Sequence, residues 1–220
     1  MEKIHIYFVP GLAASSKIFE KLSFPKHYET HYIDWIDPLK NESIAAYAKR
    51  LSALVKHPNP VLIGVSFGGL IVQEMKPYLN PQKTIIISSI KTKFEHSYLS
   101  RLAKSSKIYR LIPFLVNHAL EFTLRLAFGK RATERIGLYN MYLTKRDYNY
   151  LKWSLDNVLN WNREIPDPEI VHIHGNKDEI FPIKYIKNCI IVENGRHIMV
   201  LNKAKTISKL IQQNIASNEN

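Results

Sequence analysis

The chain has few of the features that place a protein in a special class. Of its 220 residues, only Cys189 is a cysteine, so an intramolecular disulfide is excluded and nothing requires an oxidising compartment. No segment is of low complexity, and no repeat period is present. Because 45% of the residues are apolar, the chain can bury a large core. The composition predicts one globular domain, and a reduced cytoplasm is the compartment that fits it.

Long hydrophobic runs are also missing. The most apolar long window is "IYRLIPFLVNHALEFTLRLAF", residues 108–128, and it contains Arg110, Glu121 and Arg125. These residues are spaced so that a helix would have a polar side, which argues against a span of the bilayer. We therefore expect no membrane-spanning segment.

The opening "MEKIHIYFVPGLAASS" has a lysine, a short apolar stretch and then small residues, which is the order found in a signal peptide. His5 interrupts the apolar stretch, and Pro10 and Gly11 break it. The stretch also alternates as a strand does. We expect it to form the first strand of the fold.

Positive charge is in excess and unevenly distributed. The net charge is +12, and residues 91–152 contain 13 Lys and Arg but only 4 Asp and Glu. An excess of this kind can attract nucleic acid or an anionic surface. It can equally be a solvated face that keeps the protein soluble. Its confinement to the middle third predicts that this part forms a separate structural layer.

Strand-like and helix-like segments alternate along most of the chain. Four apolar strand patterns occur in the first half, in "KIHIYFV", "HYIDWID", "NPVLIGV" and "KTIIISS", and two more in the last quarter, in "EIVHIHG" and "NCIIVEN". Between them, residues 95–162 show only helical patterns. The alternation predicts an α/β fold with a doubly wound, mostly parallel sheet. The predicted core is 1–94 and 163–220, interrupted by an all-helical insertion over 95–162.

One glycine-rich turn follows the most apolar strand pattern. In Gly64-Val65-Ser66-Phe67-Gly68 the serine lies between a buried strand and a predicted helix. A nucleophile elbow has this context, because its serine sits in a strained turn that admits only small residues two positions away on either side. The helix N-terminus behind it favours negative charge. The alternative is a packing turn without chemistry.

A serine nucleophile needs a base and an acid that orients the base, in the chain order Ser, Asp, His. Asp178 follows a predicted strand in "HIHGNKDEIFP", and His197 follows the last strand in "VENGRHIMV". The carboxyl ends of parallel strands meet at one edge of a sheet, so both residues should lie near Ser66. Glu179 is the alternative carboxylate, and an ordinary turn or surface role is the alternative for each residue.

The first turn, Pro10 to Ala13, falls at the same edge of the sheet. Acyl transfer needs backbone N–H groups that bind the oxyanion, one after the nucleophile and one from the loop after an early strand. Phe67 and Leu12 are the natural donors, and a glycine turn without catalytic meaning is the alternative.

Neither a metal nor a cofactor is predicted. His172 and His174 form an H-x-H pair, but no nearby cluster offers further ligands, so we interpret them as strand side chains at a sheet edge. The phosphate-binding glycine loop and the dinucleotide fingerprint are both missing.

Together these motifs resemble those of the α/β-hydrolase superfamily, in a short form that begins at what is usually the third strand. "GVSFGG" is similar to the nucleophile elbow, "PGLAASSKIF" to the oxyanion loop, "HGNKDEIFP" to the acid loop and "NGRHIMV" to the histidine loop. The resemblance implies Ser66 as nucleophile, His197 as base and then acid, and Asp178 as the residue that orients His197. It implies Leu12 and Phe67 as backbone donors, with Gly64 and Gly68 as the elbow glycines.

Two differences from relatives in that superfamily concern the same motifs. Its oxyanion loop usually begins His-Gly, whereas Val9 and Pro10 precede Gly11 here, so the hydrogen bonds of that histidine are missing. Its dehalogenases and epoxide hydrolases use an aspartate as nucleophile, whereas this chain has Ser66.

The resemblance also makes the insertion a helical cap over the site. Its aromatic side chains would form an apolar acyl pocket or the core of the cap itself; they include Tyr109, Phe114, Phe122, Phe128, Tyr139, Tyr142 and Trp153. Its basic excess would attract an acidic partner such as an acyl carrier protein, an acyl-coenzyme A or an anionic lipid.

The function implied is a serine hydrolase of carboxylic esters or thioesters that needs no cofactor. Two alternatives stay open. One is acyl transfer to an alcohol or amine on the same three residues, and the other is a silent binding module that uses the basic cap. Binding of nucleic acid is not expected; it would involve cap residues such as Lys104, Lys107, Arg110, Lys130 and Arg131 and would weaken steeply with salt.

Overall fold

The computed structural model of the protein describes residues 3–97 and 141–216. Within them the strands are β1 (Ile4–Val9), β2 (Tyr28–Tyr32), β3 (Val61–Val65), β4 (Lys83–Ile87), β5 (Ile170–Gly175) and β6 (Ile190–Val192). The α-helices are α1 (Ile44–Ser52), α2 (Phe67–Leu79), α3 (Tyr148–Asn160), α4 (Met199–Asn202) and α5 (Ala204–Ala216). Strands and helices alternate as the sequence predicts.

The six strands form one sheet in the order β2-β1-β3-β4-β5-β6, and every neighbouring pair is parallel. All five residues of β3 are buried, as expected for a central parallel strand covered on both faces. The predicted α/β fold with a parallel sheet is confirmed. Because the strands are parallel, the loops that follow β1, β3, β5 and β6 all leave from one edge of the sheet.

Helices cover both faces of this sheet. Alternate residues of β1 point to opposite faces, so Tyr7 and Val9 join one apolar cluster and Ile6 and Phe8 join the other. The first cluster includes residues of α1, α2 and α3, and the second includes residues of α4 and α5. The sheet is therefore doubly wound.

The second strand lies earlier in the chain than its pattern suggests. The apolar alternation of "HYIDWID" covers 31–37, but β2 is Tyr28–Tyr32. Its partner β1 ends at Val9 and turns away at Pro10, so only one further bond forms, from the Ile33 N–H to the Phe8 carbonyl. Trp35 consequently belongs to the loop after β2.

Only the ends of the predicted cap fall within the described residues. Helix α3 forms where a helical pattern was found, and its Tyr150 and Leu151 pack in the same cluster as α1 and α2. Tyr142 and Trp153 are described as well. The other cap aromatics and the five cap cations named above lie outside the described residues. The division into core and cap stays a prediction.

Across 3–97 and 141–216, none of the helices combines the length and the apolar character that crossing a bilayer requires.

Candidate active site

Ser66 stands at a sharp turn between β3 and α2. Its backbone has φ 53° and ψ −118°, a conformation that residues other than glycine rarely adopt. The turn is held on both sides, because the Ser66 N–H donates to the Ile87 carbonyl at 2.9 Å and its carbonyl accepts from the Gly69 N–H at 2.9 Å. The Ser89 hydroxyl also donates to this carbonyl at 2.7 Å. The strained conformation predicted for a nucleophile elbow is present at this serine.

The glycines on either side of Ser66 have no room for a side chain. A Cβ atom on Gly64 would lie 2.2 Å from the carbonyl oxygen of Gly68, and one on Gly68 would lie 2.3 Å from the carbonyl oxygens of Val9 and Pro10. The start of α2 therefore packs directly on the end of β1. This close packing places the loop after β1 beside Ser66.

The structure brings Ser66, His197 and Asp178 together in one line of hydrogen bonds. His197 Nε2 lies 2.9 Å from Ser66 Oγ, and His197 Nδ1 lies 2.9 Å from Asp178 Oδ2. A carboxylate can only accept, so Nδ1 carries the proton of the neutral ring and Nε2 is left to accept from the serine hydroxyl. Asp178 and His197 are both buried, whereas Ser66 is partly exposed.

The loops that carry Asp178 and His197 meet through two further glycines. A Cβ on Gly175, the last residue of β5, would lie 2.2 Å from the carbonyl oxygen of Gly195. The Lys177 N–H donates to this same Gly195 carbonyl at 2.9 Å. This contact fixes the loop of Asp178 against the loop of His197.

The carboxylate of Asp178 is held in its ionised form. Burial by itself raises its pKa, but the charge and hydrogen bond of His197, the charge of His174 and the Phe181 N–H outweigh burial. The net pKa is therefore below the usual value for aspartate. Two backbone N–H groups, of Ile180 and Phe181, donate to Oδ1, each at 2.9 Å.

The carboxylate of Glu179, the alternative acid, pairs with Arg196 instead of His197. Its Oε1 accepts from Arg196 at 2.7 Å in a partly exposed ion pair. Asp178 is therefore the carboxylate that contacts His197, while Glu179 pairs with Arg196.

The loop after β1 is fixed by a tryptophan whose part in the site the sequence analysis did not find. The buried indole Nε1 of Trp35 donates to the Gly11 carbonyl at 3.0 Å, and the Ala14 N–H donates to the same carbonyl at 3.0 Å. In a trans peptide the C=O and the following N–H point in opposite directions. These two donors therefore fix the direction of the Leu12 N–H as well.

The position of this loop relative to the serine fits a role for Leu12. A Cβ on Gly11 would lie 3.5 Å from Ser66 Cβ, so the loop touches the nucleophile turn. Phe67 is the first residue of α2, and the N–H of a first helical residue has no acceptor within the helix. Trp35 stacks on the Phe67 ring with 5.3 Å between centroids, so one side chain contacts both predicted donor segments.

In the ester hydrolysis that the sequence motifs predict, replacing Trp35 by Phe is expected to lower kcat about tenfold with little change in KM. The loss should be smaller than the hundredfold or more seen when an oxyanion donor itself is removed, because only the positioning bond is lost. Trp153→Phe is the matched control, since the Trp153 indole also contacts Phe67 and also donates to a backbone carbonyl, that of Glu42 at 2.7 Å. Equal kinetics for the two variants would contradict this role of Trp35.

His172 and His174 form a buried chain beside the acid rather than a sheet edge. Their strand β5 has neighbours on both sides, so this part of the interpretation was wrong. His174 Nε2 lies 2.8 Å from the Phe181 carbonyl, to which it must donate, so its Nδ1 accepts from His172 Nε2 at 3.0 Å. His174 Nε2 is also 3.7 Å from Asp178 Oδ2. The pair therefore supports the loop of Asp178. Among the described residues, the pair belongs to no group of three metal-ligating side chains.

This pair predicts that the protein loses stability as the pH falls below about 6.5. Burial, followed by the neighbouring charges, lowers the pKa of His172 well below its usual value of 6.5. Burial likewise lowers the pKa of His174. In this pH range the two rings become protonated in the unfolded chain but stay neutral in the native protein. The free energy of unfolding should therefore fall by up to about 1.4 kcal/mol per ring between pH 7.5 and 5.5.

Urea unfolding at pH 7.5, 6.5 and 5.5 measures this loss. His172→Gln keeps a donor toward His174 but cannot titrate, so it should remove the share of His172 from the pH dependence. His27→Gln, which lies outside this pair, is the control variant. A free energy of unfolding that is flat over this pH range would contradict the prediction.

Comparison with known proteins gives similarity in structure only. No protein-family model matches the chain, and no curated protein matches it. A lipase-esterase related protein from Clostridium acetobutylicum is 18% identical with a TM-score of 0.67, over 96% of this chain and 94% of that chain. An esterase from Exiguobacterium antarcticum is 14% identical with a TM-score of 0.71, over 97% and 92%. A bromoperoxidase from Bacillus anthracis is 17% identical with a TM-score of 0.65, also over 97% and 92%.

The chain has the α/β-hydrolase fold, which is supported both by its parallel sheet and by these structural neighbours. At such low identity the likeness concerns the fold, and one fold hosts many activities. What this protein does has to be argued from its own side chains.

Proposed function

We propose that the protein is a serine hydrolase that cleaves a carboxylic ester or thioester through an acyl-enzyme and needs no cofactor. The observation that carries the proposal is the hydrogen bond of 2.9 Å from Ser66 to His197 Nε2, with Asp178 on the opposite ring nitrogen. A serine on a strained turn, a base within reach of its hydroxyl and an acid that fixes the tautomer are the three requirements for an activated nucleophile.

In the first half of the proposed reaction, Ser66 Oγ attacks the carbonyl carbon of the substrate while its proton moves to His197 Nε2. The backbone N–H groups of Leu12 and Phe67 bind the oxyanion that forms. When this intermediate collapses, the bond to the leaving group breaks, and His197 returns the proton to the departing alcohol or thiol. Asp178 stays ionised throughout and stabilises the imidazolium.

In the second half, a water molecule takes the place of the leaving group. It gives its proton to His197 Nε2 while its oxygen attacks the acyl carbon, and collapse of this second intermediate returns the proton to Ser66 Oγ. The products are the free acid and the unmodified enzyme. The same geometry therefore serves both halves, with His197 first a base and then an acid in each.

The solved structures of similar fold support the reaction class. Two of those named above are described as a lipase-esterase related protein and an esterase. Both are similar to this chain over nearly their whole length, so the likeness concerns the fold as a whole.

The proposal of an acidic or carrier-linked substrate rests on charge. Residues 91–152 hold most of the basic excess, and an acyl carrier protein, an acyl-coenzyme A or an anionic lipid would complement it. This part of the proposal predicts that kcat/KM for an acyl-coenzyme A thioester falls with rising salt more steeply than that for an uncharged ester. A cytoplasmic location is likewise a prediction from composition.

The test of the hydrolase is mass spectrometry of the intact protein after incubation with a fluorophosphonate probe. One adduct, mapped to Ser66, is expected in the wild type. Ser66→Ala should show none, and His197→Ala should react far more slowly because its serine has no base. A panel of nitrophenyl esters of rising chain length, assayed beside the probe, then measures the acyl preference.

Labelling that persists on another residue in Ser66→Ala, or ester turnover that survives that substitution, would contradict the proposal. Analysis of the products in the presence of an alcohol or amine separates hydrolysis from acyl transfer. A folded wild type that reacts with neither probe nor ester would favour the silent binding module.

A further inference from the structure

A second group of histidines lies apart from Ser66. His5 is at the start of β1, His31 is on β2 and His57 is in the loop between α1 and β3. One ring nitrogen from each lies within 4.8 Å of the others, and all three side chains are partly buried. Among the residues that the structure describes, this is the one group of three side chains of metal-ligating type so close together. We name it the His5–His31–His57 cluster.

The sheet itself gathers the cluster. β1 and β2 are parallel neighbours in which Tyr7 pairs with His31 and His5 pairs with Glu29. Side chains two residues apart lie on the same face of a strand, so His5, Tyr7 and His31 share one face. His57 reaches this face from the loop that leads into β3. Three separate segments of the chain therefore converge on this face.

The Tyr7 hydroxyl is hydrogen-bonded to one ring nitrogen of His57. The Tyr7 hydroxyl lies 2.6 Å from His57 Nδ1 and accepts from the Lys56 N–H at 3.0 Å. With its Nδ1 facing Tyr7, His57 has Nε2 left for another partner. A ring nitrogen fixed in this way by a polar neighbour is the usual arrangement behind a metal-ligating histidine.

We propose that the His5–His31–His57 cluster binds one divalent transition-metal ion of the Zn²⁺ type, with water in the fourth position. Neutral imidazole is a favoured ligand of Zn²⁺, and Zn–N bonds of about 2.0–2.1 Å put neighbouring ligand nitrogens of a tetrahedron roughly 3.3 Å apart. His5 Nδ1 and His31 Nε2 already lie 3.1 Å apart in a hydrogen bond. When the ion binds, the donor ring of this pair transfers its inner proton through solvent to its own outer nitrogen, so both inner nitrogens are free to bind the ion and each neutral ring carries one outer proton.

His57 is the ligand that has to turn. Its ring lies parallel to that of His5, with 3.6 Å between centroids and 5° between planes. Two rings stacked in this way cannot direct their lone pairs at one ion, because each lone pair lies in the plane of its own ring. Rotation of the partly exposed His57 side chain removes this conflict, and in the metal-bound form Nε2 binds the ion while the Nδ1–H donates to the Tyr7 hydroxyl oxygen.

Binding of the ion joins the outermost strand of the sheet to two other segments. β2 is at one end of the strand order, so only β1 holds it on that side. An ion bound to His5, His31 and His57 links β1, β2 and the loop before β3. The proposed effect is on stability, because the cluster contains none of the residues proposed to take part in ester cleavage.

Spectroscopy with cobalt and thermal unfolding with zinc test the proposal on protein that carries no histidine tag and has been stripped of metal. Co²⁺ is expected to give the intense visible absorption of tetrahedral coordination at a stoichiometry of one, and Zn²⁺ to abolish it. Zn²⁺ at about a hundred times its Kd should raise the Tm by roughly 5–10 °C. Isothermal titration gives the Kd, which is expected in the micromolar range or below.

Variants assign the ion to the cluster. His31→Gln and His57→Gln should each lose the cobalt absorption and at least half of the Tm shift, while His27→Gln, the matched control, keeps both. His197→Ala should also keep both, which separates this site from the one proposed for ester cleavage. If a variant fails to fold, the cobalt spectrum of the wild type still tests whether the protein binds an ion in tetrahedral coordination.

Three outcomes would overturn the proposal. They are the lack of a tetrahedral cobalt spectrum in the wild type, retention of the full zinc effect in both His31→Gln and His57→Gln, and loss of the effect in His197→Ala alone. The first would mean that the three rings and Tyr7 stabilise one another without an ion.

Discussion

Asp178→Asn is expected to lower kcat for ester hydrolysis by about 10³–10⁴ while the fold stays intact. The amide is almost the same size, and its oxygen can still accept from the Ile180 and Phe181 N–H groups. Its NH₂ group, however, would face His197 Nδ1, which must then accept instead of donate. The ring proton moves to Nε2, and His197 can no longer take the proton of Ser66.

Glu179→Gln is the matched control for that experiment. It makes the same chemical change at the neighbouring residue, where the carboxylate pairs with Arg196 instead of His197. We expect kcat within about twofold of the wild type, because the Glu179 carboxylate pairs with Arg196 and a partly exposed ion pair contributes little to stability. Steady-state kinetics and urea unfolding of both variants are the measurements. If Glu179→Gln lost most of its activity while Asp178→Asn kept it, Glu179 and not Asp178 would be the carboxylate that orients His197.

Gly64→Ala is expected to have the largest effect on stability. The new methyl group would lie 2.2 Å from the Gly68 carbonyl oxygen and 2.4 Å from its carbon, and both are backbone atoms that cannot turn aside as a flexible side chain can. Either β3 or the first turn of α2 must shift, at a cost of about 3 kcal/mol or more. For a chain of this size the Tm should fall by at least roughly 6–12 °C, or the protein should fail to fold.

Gly11→Ala serves as the control for this steric argument. Its methyl group would lie 3.5 Å from Ser66 Cβ and 3.6 Å from the Val65 carbonyl oxygen, both ordinary contact distances. Its Tm should stay within about 2 °C of the wild type. Thermal unfolding followed by circular dichroism measures both variants. A Gly64→Ala variant as stable as Gly11→Ala would show that the elbow has room that the backbone distances do not indicate.

The sequence by itself determined the order of the strands and helices along the described chain and the edge of the sheet at which Ser66, Asp178 and His197 meet. It could do so because these features depend on local rules. Apolar strands alternate with amphipathic helices, glycines mark the turn at Ser66, and parallel strands put their following loops at one edge. The resemblance of the motifs to one superfamily pointed to the same residues.

What only the tertiary structure decided are contacts between segments that no local pattern connects. The indole of Trp35 reaches Gly11 because β1 turns away at Pro10 and ends β2 early, which a strand pattern over 31–37 cannot reveal. His174 supports the acid loop through the Phe181 carbonyl. A hydrogen bond of this kind forms or is lost when the distance between its two atoms changes by a few tenths of an ångström. Single-sequence patterns carry no information about such small differences in distance.

The His5–His31–His57 cluster shows the same division most plainly. Three of nine histidines, separated by 26 residues in each interval, have no spacing that resembles a metal motif. They meet because β1 and β2 are parallel neighbours in a register that sets Tyr7 beside His31, and because the loop after α1 returns to the same face. Strand register is decided by the packing of the whole sheet, so the sequence determined which side chains are present and the fold decided which of them touch.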